Sequence, residues 1–185
     1  MKRSLRVIGL AALVALPVMA SAQEARPVSF GVSGGLSLPV GDLGDGVDAG
    51  YNITGHVAYK PASFTNLSFR GDVSFDRWGV KSNNDANFRA LGVSANAVYS
   101  FPQTTPGVVR PYVLGGVGFY NSKASVSSGN SSVDVGSDSN LGVQAGAGIN
   151  FQLSGFSTFV EAKFVNVFTE GNSSTWIPIT FGFKF

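Results

Sequence analysis

Apolar and polar side chains alternate with a period of two along most of the chain after about residue 27. Successive side chains of a β-strand point to opposite faces, so this period predicts strands. The last segment, Thr175 to Phe185, shows it most clearly. From residue 177 onward, odd positions carry Ile or Phe and even positions carry Pro, Thr, Gly or Lys. Beyond the first 22 residues we find no helical pattern.

The pattern predicts eight strands. They span Val28 to Pro39, Tyr51 to Lys60, Leu67 to Trp78, Phe88 to Phe101, Arg110 to Asn121, Leu141 to Gln152, Ser157 to Val167 and Thr175 to Phe185. The fifth segment is apolar on both sides, and we expect Val113, Val117 and Phe119 to face outward.

Long polar connections alternate with shorter ones between these strands. The stretches 40–50, 79–87, 122–140 and 169–174 are rich in Gly, Ser, Asn and Asp, and most of them are longer than the connections between them. An even number of strands joined in this way predicts a closed, eight-stranded, antiparallel up-and-down β-barrel, with both termini on the side of the short turns. The stretch 122–140 has little apolar surface, so we expect a mobile loop there.

The size of the polar side chains predicts which face is the lumen. Gly, Ser, Asn and Thr dominate the polar face, as suits a narrow interior, whereas a solvated exterior would carry many Lys and Glu residues. The sequence therefore favours a transmembrane β-barrel, with a soluble lipocalin-like barrel as the alternative. Aromatic residues near the predicted strand ends are expected to form girdles at the membrane surface. They are Tyr51, Tyr59, Tyr99, Phe101, Tyr120, Phe168 and Trp176.

The first 22 residues are predicted to be a signal peptide. A basic start precedes the apolar stretch Val7 to Met19, and Ala20-Ser21-Ala22 matches a cleavage site. Residues 23–185 then form one barrel domain. Lys2, Arg3 and Arg6 leave with the signal, so 13 basic residues become 10 against 11 acidic ones, which gives no reason to expect nucleic acid as a partner. The chain has no Cys, so disulfides contribute nothing to its stability.

Charged residues on the predicted inward face are the main candidate site. Arg70, Asp72, Asp76, Glu161, Lys163 and Lys184 are expected to form an ion-pair network, because buried charges persist when paired. An eight-stranded barrel is only wide enough for its own side chains, so a structural, plugged lumen is the favoured interpretation. A gated proton or ion path is the alternative.

His56, the single histidine, is predicted to face the same lumen. A catalytic His needs a nucleophile and an acidic partner, and the neighbouring sequence offers no Ser on its face, so we expect it to pack in the lumen. Neither a metal site nor a cofactor site is expected. Asp42, Asp45 and Asp48 lack the spacing of an EF-hand, and we expect a solvated acidic loop; weak divalent binding is the alternative.

The whole predicted barrel resembles the small OmpA/OmpX-like family of bacterial outer-membrane β-barrel proteins. The matching features are the alternating strands, Arg110-Pro-Tyr112, Gly115-Gly-Val-Gly118, the 159–163 stretch FVEAK and the terminal Phe185. The resemblance implies a Gram-negative outer-membrane location. It also implies that Phe181, Phe183 and Phe185 form a signal for the insertion machinery, and that lipid and lipopolysaccharide surround the barrel. We expect a non-enzymatic structural or surface-interaction role through extracellular loops. The alternatives are a narrow channel for small hydrophilic or ionic solutes and a lipid A-modifying hydrolase.

Overall fold

The computed structural model describes residues 27–81, 83–102, 109–128, 131–153, 156–169 and 172–185, and the predicted signal peptide lies outside these ranges. Alternating side chains produce eight strands. They are β1 (Val28–Val40), β2 (Gly50–Tyr59), β3 (Leu67–Val80), β4 (Asn83–Ser100), β5 (Val109–Ser128), β6 (Ser131–Gln152), β7 (Ser157–Thr169) and β8 (Asn172–Lys184).

The strands form a closed barrel in sequence order, and this confirms the predicted fold class. Each strand pairs antiparallel with its neighbours, and β1 closes the sheet against β8 through pairs such as Val32 with Phe183. The start of β1 and the end of β8 lie at the same end of the barrel, which we call the terminal end. β3, β5 and β7 end at the opposite end of the barrel, which we call the hairpin end.

The exterior of the barrel is apolar and the interior is largely polar. Phe119 and Val117 are 65% and 58% exposed, which confirms the outward facing predicted for the fifth segment. On the other face, Asn52, Asp72 and Glu161 are buried. A soluble barrel would turn its apolar face inward to form a core, so this distribution is that of a barrel made for an apolar surrounding.

Strands at the hairpin end are longer than we predicted. The β5–β6 ladder continues to the pair Ser128 and Ser131, so the mobile loop expected at 122–140 is instead mostly a two-stranded hairpin. The connections that follow β3 and β7 are also shorter than predicted, mainly because β4 and β8 begin earlier, through polar residues. Backbone hydrogen bonding continues the ladder where an apolar face is no longer needed. The register of the β5–β6 ladder shifts between Ala124 and Ser125.

One helix interrupts the all-strand pattern. The short helix α1 (Asp42–Gly46) lies in the β1–β2 connection, where we predicted no helix. A single turn of five residues is too short to show a helical period, which explains why the pattern missed it. Val47 follows it and forms a β-bridge to Val80. Within the described residues, no helix is both long and apolar enough to cross a membrane.

Candidate functional site

A buried ion-pair network crosses the lumen. Arg70 donates from Nη1 to Glu161 Oε2 at 2.6 Å and from Nη2 to Glu161 Oε1 at 2.9 Å. Its Nε also lies 2.8 Å from Asp72 Oδ1. Arg70 is on β3 and Glu161 is on β7, which is the strand opposite β3 in a barrel of eight. The pair therefore bridges the full width of the lumen.

Lys163 completes the network and balances its charge. Its Nζ lies 3.4 Å from Asp72 Oδ2 and 3.9 Å from Glu161 Oε1, so two cations face two carboxylates. The Tyr112 hydroxyl donates to Glu161 Oε2 at 2.7 Å. These side chains are nearly fully buried, and such charges are stable only when each partner is present.

Asp76 and Lys184 lie outside this network, although the sequence grouped them with it. Asp76 accepts hydrogen bonds from Ser37 Oγ at 2.7 Å and Asn52 Nδ2 at 2.9 Å. Lys184 is near the terminal end of the barrel. Among the described residues, neither forms an ion pair. The alternation of residues predicts that Asp76 and Lys184 face inward. It does not predict their height along the barrel axis, which depends on strand register.

His56 packs against an aromatic ring and against the wall of the barrel. Its ring lies 5.4 Å from that of Phe159 in an edge arrangement, and it covers Gly31, where an added Cβ would overlap the imidazole. Within the described part of the chain, His56 makes no hydrogen bond to a Ser or to a carboxylate, so the lumen holds no assembled hydrolytic triad there.

A second cluster of polar side chains escaped the sequence analysis. Gln144 donates from Nε2 to Ser94 Oγ at 2.9 Å and to Asn96 Oδ1, and Tyr120 donates to Gln144 Oε1 at 3.0 Å. Tyr112 and Tyr120 both come from β5, whose two faces look equally apolar in sequence. The even numbering that they share with Leu114 was the available signal for their inward direction.

Aromatic rings plug the lumen at the hairpin end. Trp78 and Trp176 meet at 5.4 Å between ring centroids, and Tyr120 and Phe88 pack on them at 5.6 and 5.7 Å. The girdle role predicted for Tyr120 and Trp176 is therefore wrong, because they are 2% and 1% exposed and point inward. Position near a strand end does not distinguish an interfacial ring from a plugging ring. The other five predicted girdle residues are exposed on the exterior: Tyr51, Tyr59, Tyr99, Phe101 and Phe168.

The plug continues into the β1–β2 connection. Val47 belongs to the same buried cluster as the two Trp residues, and Leu43 of α1 packs against it. We call Leu43 and Val47 the cap of the hairpin end. Asp42, Asp45 and Asp48 are exposed around it. Among the described residues, no group of three or more His, Cys, Asp or Glu side chains is placed to hold a metal ion.

The terminal end, in contrast, is hollow. A cavity of about 550 Å³, which we call the vestibule, opens there between the ends of the strands. A smaller cavity of about 40 Å³ lies at His56, Arg70 and Tyr112, with Lys184 lining both. Phe181 and Phe183 are exposed on the outer face of β8, and Phe185, just beyond β8, is exposed and also lines the vestibule. Their role as an insertion signal stays a prediction.

A family model described as the outer membrane protein beta-barrel domain matches residues 8–185. Among solved structures, Neisserial surface protein A is 17% identical with a TM-score of 0.63, over 88% of this chain and 98% of that one. The attachment invasion locus protein Ail of Yersinia pestis is 20% identical with a TM-score of 0.51, over 85% of this chain and 97% of that one.

No curated protein sequence matches the chain significantly. At identities of 17% and 20%, the two solved structures share the fold and say nothing further about activity. The family match covers all of the barrel that the structure describes. The chain therefore belongs to the outer membrane protein beta-barrel domain family, which implies an outer-membrane location.

Proposed function

We propose that this chain is a non-enzymatic integral outer-membrane protein with a structural or surface-interaction role, exercised through the hairpin end facing the cell exterior. The closed lumen carries the proposal. The Arg70–Glu161 bridge spans the barrel, and the Trp78–Trp176 plug closes its hairpin end. Side chains therefore block the lumen at two heights along the barrel axis. Such a barrel suits a role at its surface rather than the passage of solutes.

The β5–β6 hairpin is the surface that we assign to this role. β6 pairs with β7 only as far as Gly142 and Val167, so residues 131–141 of β6 extend past the end of that ladder. The hairpin is rich in Ser, Asn and Asp, and Ser137, Asp138 and Ser139 are exposed. A polar projection of this kind suits an aqueous environment and contact with a partner there.

An epitope inserted between Gly129 and Asn130 tests the orientation. Antibody labelling of intact cells should be strong, and permeabilising the outer membrane should not increase it. A second insertion in the connection at the terminal end, after Ser63, serves as the control and should be labelled only after permeabilisation. The reverse pattern would contradict an outward-facing hairpin and with it the proposed role.

A row of cations on the outer face supports lipopolysaccharide as the lipid partner. Arg77 is directly opposite Arg89, and Arg89 is directly opposite Lys123. All three lie at outward positions of their strands, and the next outward pair toward the barrel middle is Phe75 with Leu91. Three cations at one height give this part of the outer face a local positive charge, which attracts anionic groups. Lipid A phosphates at the upper edge of the apolar belt have the required charge and height.

Neutralising this row should weaken the association with lipopolysaccharide. We expect Arg77→Gln/Lys123→Gln to bind lipid A at least about tenfold more weakly, because two charge-assisted contacts are lost. Native mass spectrometry of the barrel with lipid A in neutral detergent measures the bound fraction. Lys81→Gln, which removes a charge outside the row, is the control. Equal binding by the row variant and the control would refute this partner.

The two alternatives have less support from the lumen. A channel needs a continuous wet path, whereas the bridge and the plug both interrupt it. A hydrolase needs a nucleophile beside His56, and the described residues place Phe159 against its ring instead. We therefore propose that the chain is neither a channel nor a hydrolase. The lipid A profile of cells should be the same with the native chain and with His56→Ala.

A further inference from the structure

The vestibule is a cavity with cations and a polar wall. Its volume of about 550 Å³ falls within the range of about 300–1,000 Å³ that small-molecule sites occupy. Ser68, Ser100 and Asn150 line its inner part. Leu67, Leu153 and Phe156 also line it, so a ligand would meet apolar contacts as well as polar ones.

Three cations lie in this cavity without acidic side chains as partners. Lys60, Arg110 and Lys184 all line it, and none of its described lining residues is Asp or Glu; the α-carboxylate of Phe185 offsets one of the three positive charges. The ion pairs of Arg70 and Lys163 lie deeper in the lumen. The middle of the barrel is therefore balanced in charge, whereas the vestibule has an excess of positive charge.

Arg110 is held at the wall of this cavity. Its Nη2 donates to Asn66 Oδ1 at 3.2 Å and its Nε is buried, which positions the guanidinium beside the cavity. Low-dielectric walls also concentrate the field of the three cations inside the cavity.

We propose that the vestibule binds a small anion carrying two or more phosphate or carboxylate groups. Lys60, Arg110 and Lys184 would neutralise the oxyanion groups. The ligand would stop below the Arg70–Glu161 bridge, since the cavity beyond has room for little more than water. A soluble polyanion and the headgroup of an anionic phospholipid share this chemistry. The inference goes beyond the proposed surface role and does not depend on it.

Calorimetry with pyrophosphate tests the site directly. The folded chain in neutral detergent should bind pyrophosphate saturably with one site per chain. Lys60→Gln and Lys184→Gln should each weaken binding by about tenfold, and the double variant should abolish it. Lys81→Gln, at the opposite end of the barrel, is the matched control and should bind like the native chain. Because Lys60 lies on the exposed mouth, its substitution leaves the buried lumen intact.

A second titration distinguishes a soluble polyanion from a lipid headgroup. It uses micelles containing phosphatidylglycerol in place of pyrophosphate. Saturable pyrophosphate binding that depends on the lysines supports a soluble ligand. Binding only to phosphatidylglycerol, with the same dependence, supports a lipid headgroup. Binding of neither probe, or binding that the double variant retains, overturns the proposal. Each variant must first show the heat-dependent gel shift of a closed barrel, so that loss of folding is not read as loss of binding.

Discussion

Individual inward side chains determine what the lumen can do. Arg70, Asp72, Glu161 and Lys163 form a neutral group in which every charge has an opposite neighbour. The alternation of residues predicted that these four face inward. It could not predict that Tyr112 joins them, because β5 is apolar on both faces, nor that Asp76 instead binds Ser37 and Asn52. Partner choice follows from strand register, and no local pattern encodes it.

Removing one charge from the network should destabilise the folded barrel. Glu161→Ala leaves the Arg70 guanidinium without its bidentate partner and the Tyr112 hydroxyl without its acceptor. We expect the free energy of unfolding to fall by about 3–5 kcal/mol, as for other broken buried ion pairs. Urea titration in detergent measures it, with fluorescence of the buried Trp78 and Trp176 as the signal.

Asp138→Asn, on the exposed part of the hairpin, is the control for this measurement. We expect it to change the free energy of unfolding by less than about 0.5 kcal/mol. A loss at Glu161 no larger than the loss at Asp138 would mean that the bridge across the lumen does not stabilise the barrel.

Among the elements, the strands were predictable where one face is apolar, and less so beyond that region. β2 matches its prediction closely, since Tyr51, Ile53, Val57 and Tyr59 alternate with small or polar residues. The hairpin end was harder, because Ser and Asn fit both a loop and a paired strand. There the ladder depends on the partner strand, as the pairing of Ser128 with Ser131 shows.

The β5–β6 hairpin should be dispensable for folding. Replacing residues 126–133 with Asn-Gly joins Ser125 to Asp134, which are already paired, through a turn suited to a two-residue hairpin. The barrel below this point keeps its pairs, so the heat-dependent gel shift and the outer-membrane yield should be unchanged. The epitope-tagged native chain, treated in parallel, is the control. Failure to insert would show that the hairpin is part of the folding unit rather than a projection.

The whole molecule is a barrel with different ends. The hairpin end is closed by Trp78, Trp176 and the cap at Val47, whereas the terminal end opens into the vestibule. The sequence predicted the closed sheet and its apolar exterior. It did not predict the asymmetry, because the plugging rings come from four strands, β3, β4, β5 and β8, and meet only in the closed barrel.

Single-channel recording in planar bilayers tests the central claim, that the lumen is closed by the bridge and the plug. The purified native chain, with insertion verified by its gel shift, should give no discrete conductance steps in salt solution at either polarity. Regular, discrete steps from the native chain would contradict the closed lumen and would make the narrow channel the better account of its function.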